Sequence, residues 1–593
     1  MSSYRKQVPD SEKISKGKVI VRMFGYLFKH KFHLFFVMLL TIASNILALA
    51  APSLSGKAID AIVDKGLVNY DTVFLNCALM LGCYVLSAIL GFINSVTMIN
   101  LSRKVVYAMR KQTFEHLADM PVGYFDKNQT GDLISRLTYD IDTINASLSN
   151  DLVQICAGLI TVVGSAVMMY RYAPILMLVF VITIPTLIAL TVHRVRKVKP
   201  LFRKRSKMLG ELNGYTEEML SGQKTIRAYG KEKVMIERFD THNKEAVQAY
   251  YNAEYHGCVI GPATNFINNL SLSFISMFGA ILYIFTPAFT LGNLSSFVLY
   301  SRKFSGPINE TANIISEIQS ATSAAERVFR LLDTPCEKMP EQSDKPIENV
   351  QGDISIDDIS FGYEADKPVL KNISVTIPKG STVAVVGPTG SGKTTIINLL
   401  MRFYDTDTGE IRIDGTNSAE SSLKDVRKSF AMVLQDTWLF SGTVAENIAY
   451  GCENVSREDI EKAAKAAKIH KFITPLPDGY DTLIDENGVN ISKGQKQLIT
   501  IARAILMDSP MLILDEATSN VDSRTERQLQ EAVNNVMKGR TSIVVAHRLS
   551  TVRNADCILV IKDGVLIEAG NHDELMKKED GFYKSLHNSQ FQT

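Results

Sequence analysis

At 593 residues the chain is three to four times the length of a typical ~150-residue domain, which excludes a mini-protein and requires more than one domain. Its 64 Lys plus Arg against 62 Asp plus Glu leave a net charge of +2, so the bulk basicity of a nucleic-acid binder is excluded as well. A mean hydropathy of +0.05, with 46% hydrophobic and 21% charged residues, would suit a soluble enzyme only if the composition were even along the chain, and it is not.

Residues 1–32 are charged and end in VIVRMFGYLFKHKF (19–32), the mix of aromatic and basic residues expected of a helix lying in a membrane interface. Five runs without Asp, Glu, Lys or Arg follow, at 34–56, 72–102, 152–170, 172–192 and 255–301, the last containing His256. A spanning helix needs ~20 mainly apolar residues, and an ion at mid-bilayer costs roughly 2.5 kcal/mol or more, so these runs predict membrane spans. The fifth run is too long for one crossing. It breaks at Thr286-Pro287 and Gly292-Asn293, which predicts a tight turn between a fifth and a sixth span, and Arg302, Lys303, Glu310 and Glu317 fall where the sixth helix continues.

Basic residues test the topology independently, because Lys and Arg collect on the cytoplasmic side. Eight precede the first span, two (Lys57, Lys65) lie in the next loop, six in 103–151, one (Arg171) in the following loop, fourteen in 194–254 and none in the last turn. Six crossings with both termini cytoplasmic are expected, and the two long cytoplasmic segments keep helical apolar spacing, so the membrane helices should extend into the cytosol. No cleavage site follows the charged N-terminus, so the first span is expected to stay as an anchor. The seven Cys show no CxxC pair or metal spacing and are assigned no chemistry.

After Leu331 the pattern changes. Thr334-Pro335-Cys336-Glu337 opens a polar linker, and alternating strand-like and helix-like stretches follow. The expected division is 1–32 as a cytosolic segment with an interfacial helix, 33–330 as a six-helix transmembrane domain, 331–350 as a linker and 351–593 as a nucleotide-binding domain. Thr382–Val386 (TVAVV) is a buried-strand run ending in Gly387-Pro388-Thr389-Gly390-Ser391-Gly392-Lys393-Thr394, with the helix-like Thr395–Leu400 after it. This is a phosphate loop: glycines let backbone N–H groups wrap phosphates at a helix N-terminus, Lys393 adds a point charge, and Thr394 offers a hydroxyl to Mg2+. A second apolar strand, Met511–Leu514, ends in Asp515-Glu516, where one carboxylate suits the Mg2+ shell and the next an attacking water. The strand Thr541–Ala546 leads to His547, a third functional group at the carboxyl edge of a parallel sheet, where ligands bind.

Together these residues resemble the ATP-binding cassette (ABC) transporter family, in its exporter form with a membrane domain fused ahead of a nucleotide-binding domain. The resemblance covers essentially the whole chain. It implies an α-helical six-span transmembrane domain with long cytosolic extensions, followed by an α/β P-loop NTPase domain. It further implies ATP and Mg2+ as ligands, Tyr363 as the aromatic that stacks on adenine, and Gln435 as the Q-loop amide reaching Mg2+ beside Thr394 and Asp515. Thr395 completes the phosphate-binding run, Glu486 is the acidic X-loop residue, and Glu516, His547 and Lys393 are the catalytic set. The implied activity is ATP-driven export of amphipathic, drug-like or lipid-like molecules by alternating access, in a bacterial inner membrane. An ATP-dependent sensor without net transport is the alternative.

Two motifs depart from the family pattern. The signature, usually Leu-Ser-Gly-Gly-Gln, reads Ile491-Ser492-Lys493-Gly494-Gln495, and the D-loop, usually Ser-Ala-Leu-Asp, reads Ser519-Asn520-Val521-Asp522. In the family, Ser492, Gly494 and Gln495 would act in trans on the partner's ATP, using the serine, the glycine backbone and the helix dipole. Lys493 puts a cationic chain where backbone approaches closely, while the chain's own Walker residues are intact. This asymmetry favours a heterodimer of two half-transporters, and a homodimer that tolerates Lys493 is the other reading.

Family-like text also surrounds two coupling helices, at Tyr124-Phe125-Asp126 with Thr130–Leu133, and at Glu217–Gly222 with Lys224–Tyr229. Trp438, the only Trp, is expected to report this interface. Arg302 and Lys303, with Asn265, Asn268 and Asn269, point either to a partly cationic cargo pocket or to general vestibule lining. The expected partners are a second subunit, the bilayer and a small amphipathic substrate, with no nucleic acid.

Overall fold

The computed structural model describes residues 15–64, 67–337, 347, 349–364, 366–435, 437–484, 491–516, 523–546 and 549–591. By contacts the chain forms two compact units. One contains Lys13–Glu115 together with Leu133–Leu332, and the other contains His116–Asp132 together with the chain from Asp333 onward.

The first unit is helical. Helix α1 (Lys16–Phe28) buries Val19, Met23, Tyr26 and Leu27 along one stripe and leaves Lys16, Lys18 and Phe28 exposed, the pattern of an interfacial helix. Helices α2 (Lys31–Asp60) and α3 (Tyr70–Ala118) run antiparallel: the Asn94 amide donates to Thr41 at 3.1 Å, and the Ser44 and Ser87 hydroxyls lie 3.1 Å apart. At a rise of 1.5 Å per residue α3 is about 74 Å long, over twice the ~30 Å hydrocarbon thickness, so much of it must lie outside the membrane. The short helix α4 (Val122–Lys127) follows, and the chain re-enters the first unit through two π-helical turns, Arg136–Asp140 and Ser147–Asp151. Helices α5 (Leu152–Tyr172) and α6 (Leu178–Ser221) come next. The short α7 (Gln223–Ala228) turns the chain into α8 (Glu232–Gly257), which leads into α9 (Ile260–Phe285) and α10 (Leu291–Asp333).

Among the described residues five helical stretches, involving α2, α3, α5, α6 and α8–α9, are long and apolar enough to cross a membrane. Helix α10, expected as the sixth span, is not among these five; it is one continuous helix through Arg302, Lys303 and Glu310 that runs to Asp333, three residues into the expected linker. Its lower half builds a core: Ala321, Ala324, Ala325, Val328 and Phe329 pack with Ile141, Ile144, Leu148 and the buried face of α1. Beside that core the buried carboxylate of Asp140 is held by the Arg327 guanidinium through two hydrogen bonds, one of 2.8 Å from Nε.

The second unit is built on two large sheets, with a small antiparallel pair of Gly442–Thr443 and Leu483–Ile484. Strands β1 (Ile354–Phe361), β2 (Leu370–Ile377) and β4 (Thr408–Ile413) form an antiparallel sheet with Thr416–Asn417, in which β1 lies between β2 and β4. The second sheet holds β3 (Thr382–Val386), β5 (Phe430–Val433), β6 (Met511–Glu516), β7 (Thr541–Ala546), β8 (Cys557–Lys562) and β9 (Val565–Gly570), in the order β9-β8-β3-β7-β6-β5, parallel except for β9. The uninterrupted apolar runs predicted as buried strands follow from this arrangement, because each strand feeds two cores. Ala384, Val386, Leu512, Leu514 and Val544 pack on one face, and Val383, Val385, Met511, Ile513, Ile543 and Val545 on the other.

Candidate functional site

The phosphate loop joins β3 to α11 (Lys393–Leu400). Gly392 caps that helix at φ +102°, and a Cβ there would stand 2.5 Å from Leu370 Cδ2, so both conformation and space require glycine. The Lys393 ammonium folds back to donate to the Gly387 and Pro388 carbonyls, each at 2.9 Å. Burial pushes that ammonium below the ordinary lysine range, and the Asp515 carboxylate opposes the shift. The Ser391 hydroxyl is buried with no hydrogen-bond partner among the described residues. A buried donor left unpaired beside a desolvated ammonium at a helix N-terminus fits an anionic ligand such as a nucleotide phosphate.

Several of the other predicted residues lie on or beside this loop and its helix. Thr394 is exposed, and Thr395 is buried and accepts the Tyr363 hydroxyl at 3.3 Å. Tyr363 also accepts from the Asn398 amide at 3.0 Å, so its ring is tethered to α11. Parallel pairing of Leu514 with Val433 brings Asp515 and the exposed Gln435 to one sheet edge. Hydroxyl, amide and carboxylate oxygens from Thr394, Gln435 and Asp515 are a hard donor set that suits Mg2+. The Glu516 backbone ends β6, paired with Ala546. The side chain of Glu516, together with His547, Glu486 and the D-loop Ser519–Asp522, lies outside the described residues.

The signature begins α12 (Lys493–Met507). Ser492 is its N-cap in a capping box: the Gln495 backbone N–H donates to Ser492 Oγ at 3.3 Å, and Gln495 Oε1 accepts the Ser492 N–H at 2.9 Å. Gly494 is buried. Lys493 is exposed at the first helical position, where an L-residue carries no backbone strain. Further along α12, Arg503 donates to the Asn447 carbonyl at 2.9 Å and lies over the Tyr450 ring, and burial lowers its guanidinium from the ordinary value. Tyr450 stacks on Phe440 at 4.3 Å, and Leu434, the 72%-exposed Trp438 and Phe440 supply exposed apolar surface within five residues of Gln435.

Sequence reasoning singled out Asp126 but missed its partner. Tyr404, just past α11, donates from its hydroxyl to Asp126 on α4 at 2.5 Å, and its ring meets the Tyr363 ring edge-on at 5.1 Å. A Cβ on Gly123 of α4 would come within 2.8 Å of the Tyr404 ring. A second missed link starts at Glu337, whose N–H donates to the Asp119 carbonyl and whose carboxylate takes a two-pronged bond from Arg427 at 2.6 and 2.9 Å. Arg427 belongs to the helix Leu423–Lys428 that precedes β5 and Gln435. Nearby, Cys336 Sγ lies 3.3 Å from His116 Nδ1, and burial and Asp119 push its thiol above the ordinary value. The only sequence signal for Tyr404 is an aromatic pair directly after the phosphate-loop helix.

Residues 34–308 match the family described as ABC transporter transmembrane region, and residues 370–519 the family described as ABC transporter. The chain is 41% identical over 583 residues to the Bacillus subtilis uncharacterized ABC transporter ATP-binding protein YfiC, covering 98% of this chain and 95% of that protein. It is 39% identical over 518 residues to a fatty acid ABC transporter ATP-binding/permease protein of Mycobacterium bovis, with 87% and 82% covered. It is 38% identical over 540 residues to an ATP-dependent lipid A-core flippase of Vibrio vulnificus, with 89% and 91% covered. Among solved structures, a bacterial Atm1-family ABC exporter with ATP bound matches with a TM-score of 0.77 at 27% identity, over 95% of this chain and 98% of that one.

Proposed function

Because the chain belongs to the ABC transporter family, as an exporter-type half-transporter with fused membrane and ATP-binding domains, we propose that it exports lipid-like amphipathic molecules by alternating access. It is an ATPase coupled to transmembrane transport. The observation that carries the reading is the phosphate loop, with its orphaned Ser391 hydroxyl and desolvated Lys393 next to Asp515, on the same chain as a bundle of membrane-length helices.

In this reading Lys393 and the loop N–H groups hold the β- and γ-phosphates of ATP, and Tyr363 stacks on adenine. Gly387, Pro388, Thr389, Gly390, Ser391, Gly392 and Thr395 shape the cradle. Thr394, Gln435 and Asp515 hold Mg2+, which supplies positive charge against the charge that develops on the transferring phosphoryl group. Glu516 polarises the attacking water and His547 contacts the γ-phosphate. Ser492, Gly494 and Gln495 complete the ATP site of a second half-transporter subunit. The need for that subunit is supported by α7, which buries none of its residues and is flanked by Leu220 and Tyr229, 70% and 76% exposed. ATP can drive export only by stabilising one conformation over the other, and the contacts of α4 and α7 are the means of transmitting that preference.

Lipid-like cargo is supported by the fatty acid transporter and lipid A-core flippase among the relatives and by the cations Arg302 and Lys303 on α10, which we read as the sixth span. The basic residues before α2, in 103–151 and in 194–254 support cytoplasmic termini in a bacterial inner membrane. The test is flipping of fluorescent phospholipid and of a lipopolysaccharide core in proteoliposomes holding the chain. ATP-dependent movement that is absent from Glu516→Gln is expected, and ATP turnover without movement of any lipid would overturn the proposed cargo. ATPase activity of the chain purified alone tests the partner: cooperative turnover at both sites means a second copy, and loss of turnover that a related chain restores means a heterodimer.

A further inference from the structure

We propose that the cytoplasmic ends of α2 and α3 form a binding site for the phosphate headgroup of an anionic phospholipid, centred on His33 and Lys104. The proposal rests on the cytoplasmic placement of these ends given above and is independent of the cargo. The two helices pair antiparallel through Thr41–Asn94 and Ser44–Ser87, and the same pairing brings His33 Nε2 and Lys104 Nζ to 3.3 Å. The charge-free runs of these helices begin at residue 34 and end at residue 102, so His33 and Lys104 mark one level, the boundary where hydrocarbon gives way to headgroups.

Charge at this boundary is one-sided. No Asp or Glu occurs in residues 13–59 or 72–114. Arg110 pairs with Asp142 and Lys111 with Glu115, but among the described residues no carboxylate lies within ion-pair distance of Lys29, Lys31, Arg103 or Lys104, all of them exposed. An ammonium has no acceptor, so in this contact Lys104 donates to His33 Nε2. That leaves the Nδ1–H of His33 and the remaining Lys104 protons as donors, next to Lys31 and Arg103 in sequence. A phosphodiester supplies the oxygen acceptors and the negative charge this cluster lacks.

A lipid fits better than free phosphate because the surrounding surface is apolar. Phe32 and Phe35 are 79% and 70% exposed, and the Lys31 ammonium sits 5.7 Å from the Phe32 ring centre, an arrangement suited to acyl chains below and phosphate above. Native mass spectrometry of the detergent-purified full chain, titrated with dioleoyl-phosphatidylglycerol, dioleoyl-phosphatidylcholine or inorganic phosphate, tests the site. Wild type should retain phosphatidylglycerol over phosphatidylcholine. Lys104→Gln should cut that preference about fivefold, the order expected of one cation at an anionic membrane surface. Lys104→Arg should restore it, and His33→Gln should weaken it even if Lys104→Gln folds poorly. An equal loss in Lys197→Gln, which removes one exposed charge from α6, would reduce the effect to general electrostatics and overturn the site. Displacement of the bound lipid by inorganic phosphate at equal concentration would overturn the lipid as its occupant.

Discussion

The hydroxyl of Tyr404 donates a 2.5 Å hydrogen bond to the carboxylate of Asp126, across 278 residues of sequence. Tyr404 also packs edge-on against Tyr363, the residue we assign to adenine, so one side chain touches both the base site and the short helix α4. A shift of Tyr363 on nucleotide binding therefore has a direct path to α4. Couplings carried by such packed chains are worth about 0.5–2 kcal/mol. Tyr404→Phe and Asp126→Ala should each lower the ratio of lipid-stimulated to basal ATPase roughly threefold, the lower part of that range. The double variant should do no more than either single one, and additive losses would show that the two residues act separately.

Arg427 binds Glu337 with both terminal nitrogens and also reaches the Arg402 carbonyl at 3.2 Å. The pair is partly exposed, so after allowance for solvent screening its loss should cost about 1–2 kcal/mol. Arg427→Ala is expected to lower the melting temperature of the purified chain by roughly 3–6 °C. Exchanging the charges, in Arg427→Glu with Glu337→Arg, should recover part of the loss. No recovery would assign the effect to the carbonyl contacts of Arg427 instead.

Lys393 is desolvated and already bonded to its own loop, so its removal leaves two carbonyls facing the phosphate site. Lys393→Ala should reduce ATP hydrolysis on the order of 100-fold, the scale for losing one preorganised charge. Trp438, 72% exposed, provides a separate readout. Its emission should shift to the blue when ATP is added to Glu516→Gln, as a partner surface covers it, and should not shift in the Lys393→Ala, Glu516→Gln double variant. A red shift, or no change in the single variant, would show that this surface stays open in the nucleotide-bound state.

The C-terminal helix Phe582–Phe591 is held at its first turn by two side chains from outside it, Glu568 and His572. Glu568 caps its first N–H groups at 2.9 and 3.1 Å, and the hydroxyl of the buried Tyr583 lies 2.8 Å from His572 Nδ1. Burial first, then His587, lowers the pKa of His572, while burial raises that of Tyr583 to about 12. A histidine held below its unfolded value contributes stability that is full above about pH 6.5 and is lost as the pH falls through that value toward the lowered one. Amide exchange in 582–591, corrected for intrinsic rates, should therefore speed up between pH 7.5 and 5.5. His572→Gln should flatten this dependence, and an unchanged slope would point to another titrating group.

Much of this protein is written locally. The charge-free runs became helices because backbone groups in hydrocarbon must bond within their own segment, and the predicted break at Thr286-Pro287 separates α9 from α10. The strand Thr382–Val386, its loop and the helix after it were readable because the glycines, Lys393 and the apolar runs are neighbours in the chain, and short-range geometry decides them. Lys493 shows the limit of such reading. As text it breaks the signature, but on the helix it occupies an exposed first position next to a complete capping box, so the departure leaves the local fold intact and bears only on what a second subunit would meet there.

What only the tertiary structure decided are the pairings between distant segments. Tyr404 with Asp126, Glu337 with Arg427, Arg327 with Asp140 and His33 with Lys104 each join residues with no common periodicity or motif. The sequence alone settled which elements form, because propensity and hydrophobic period act over a few residues. Which side chains meet depends on how those elements pack, and packing at distances of 2.5 to 3.5 Å is a property of the whole fold.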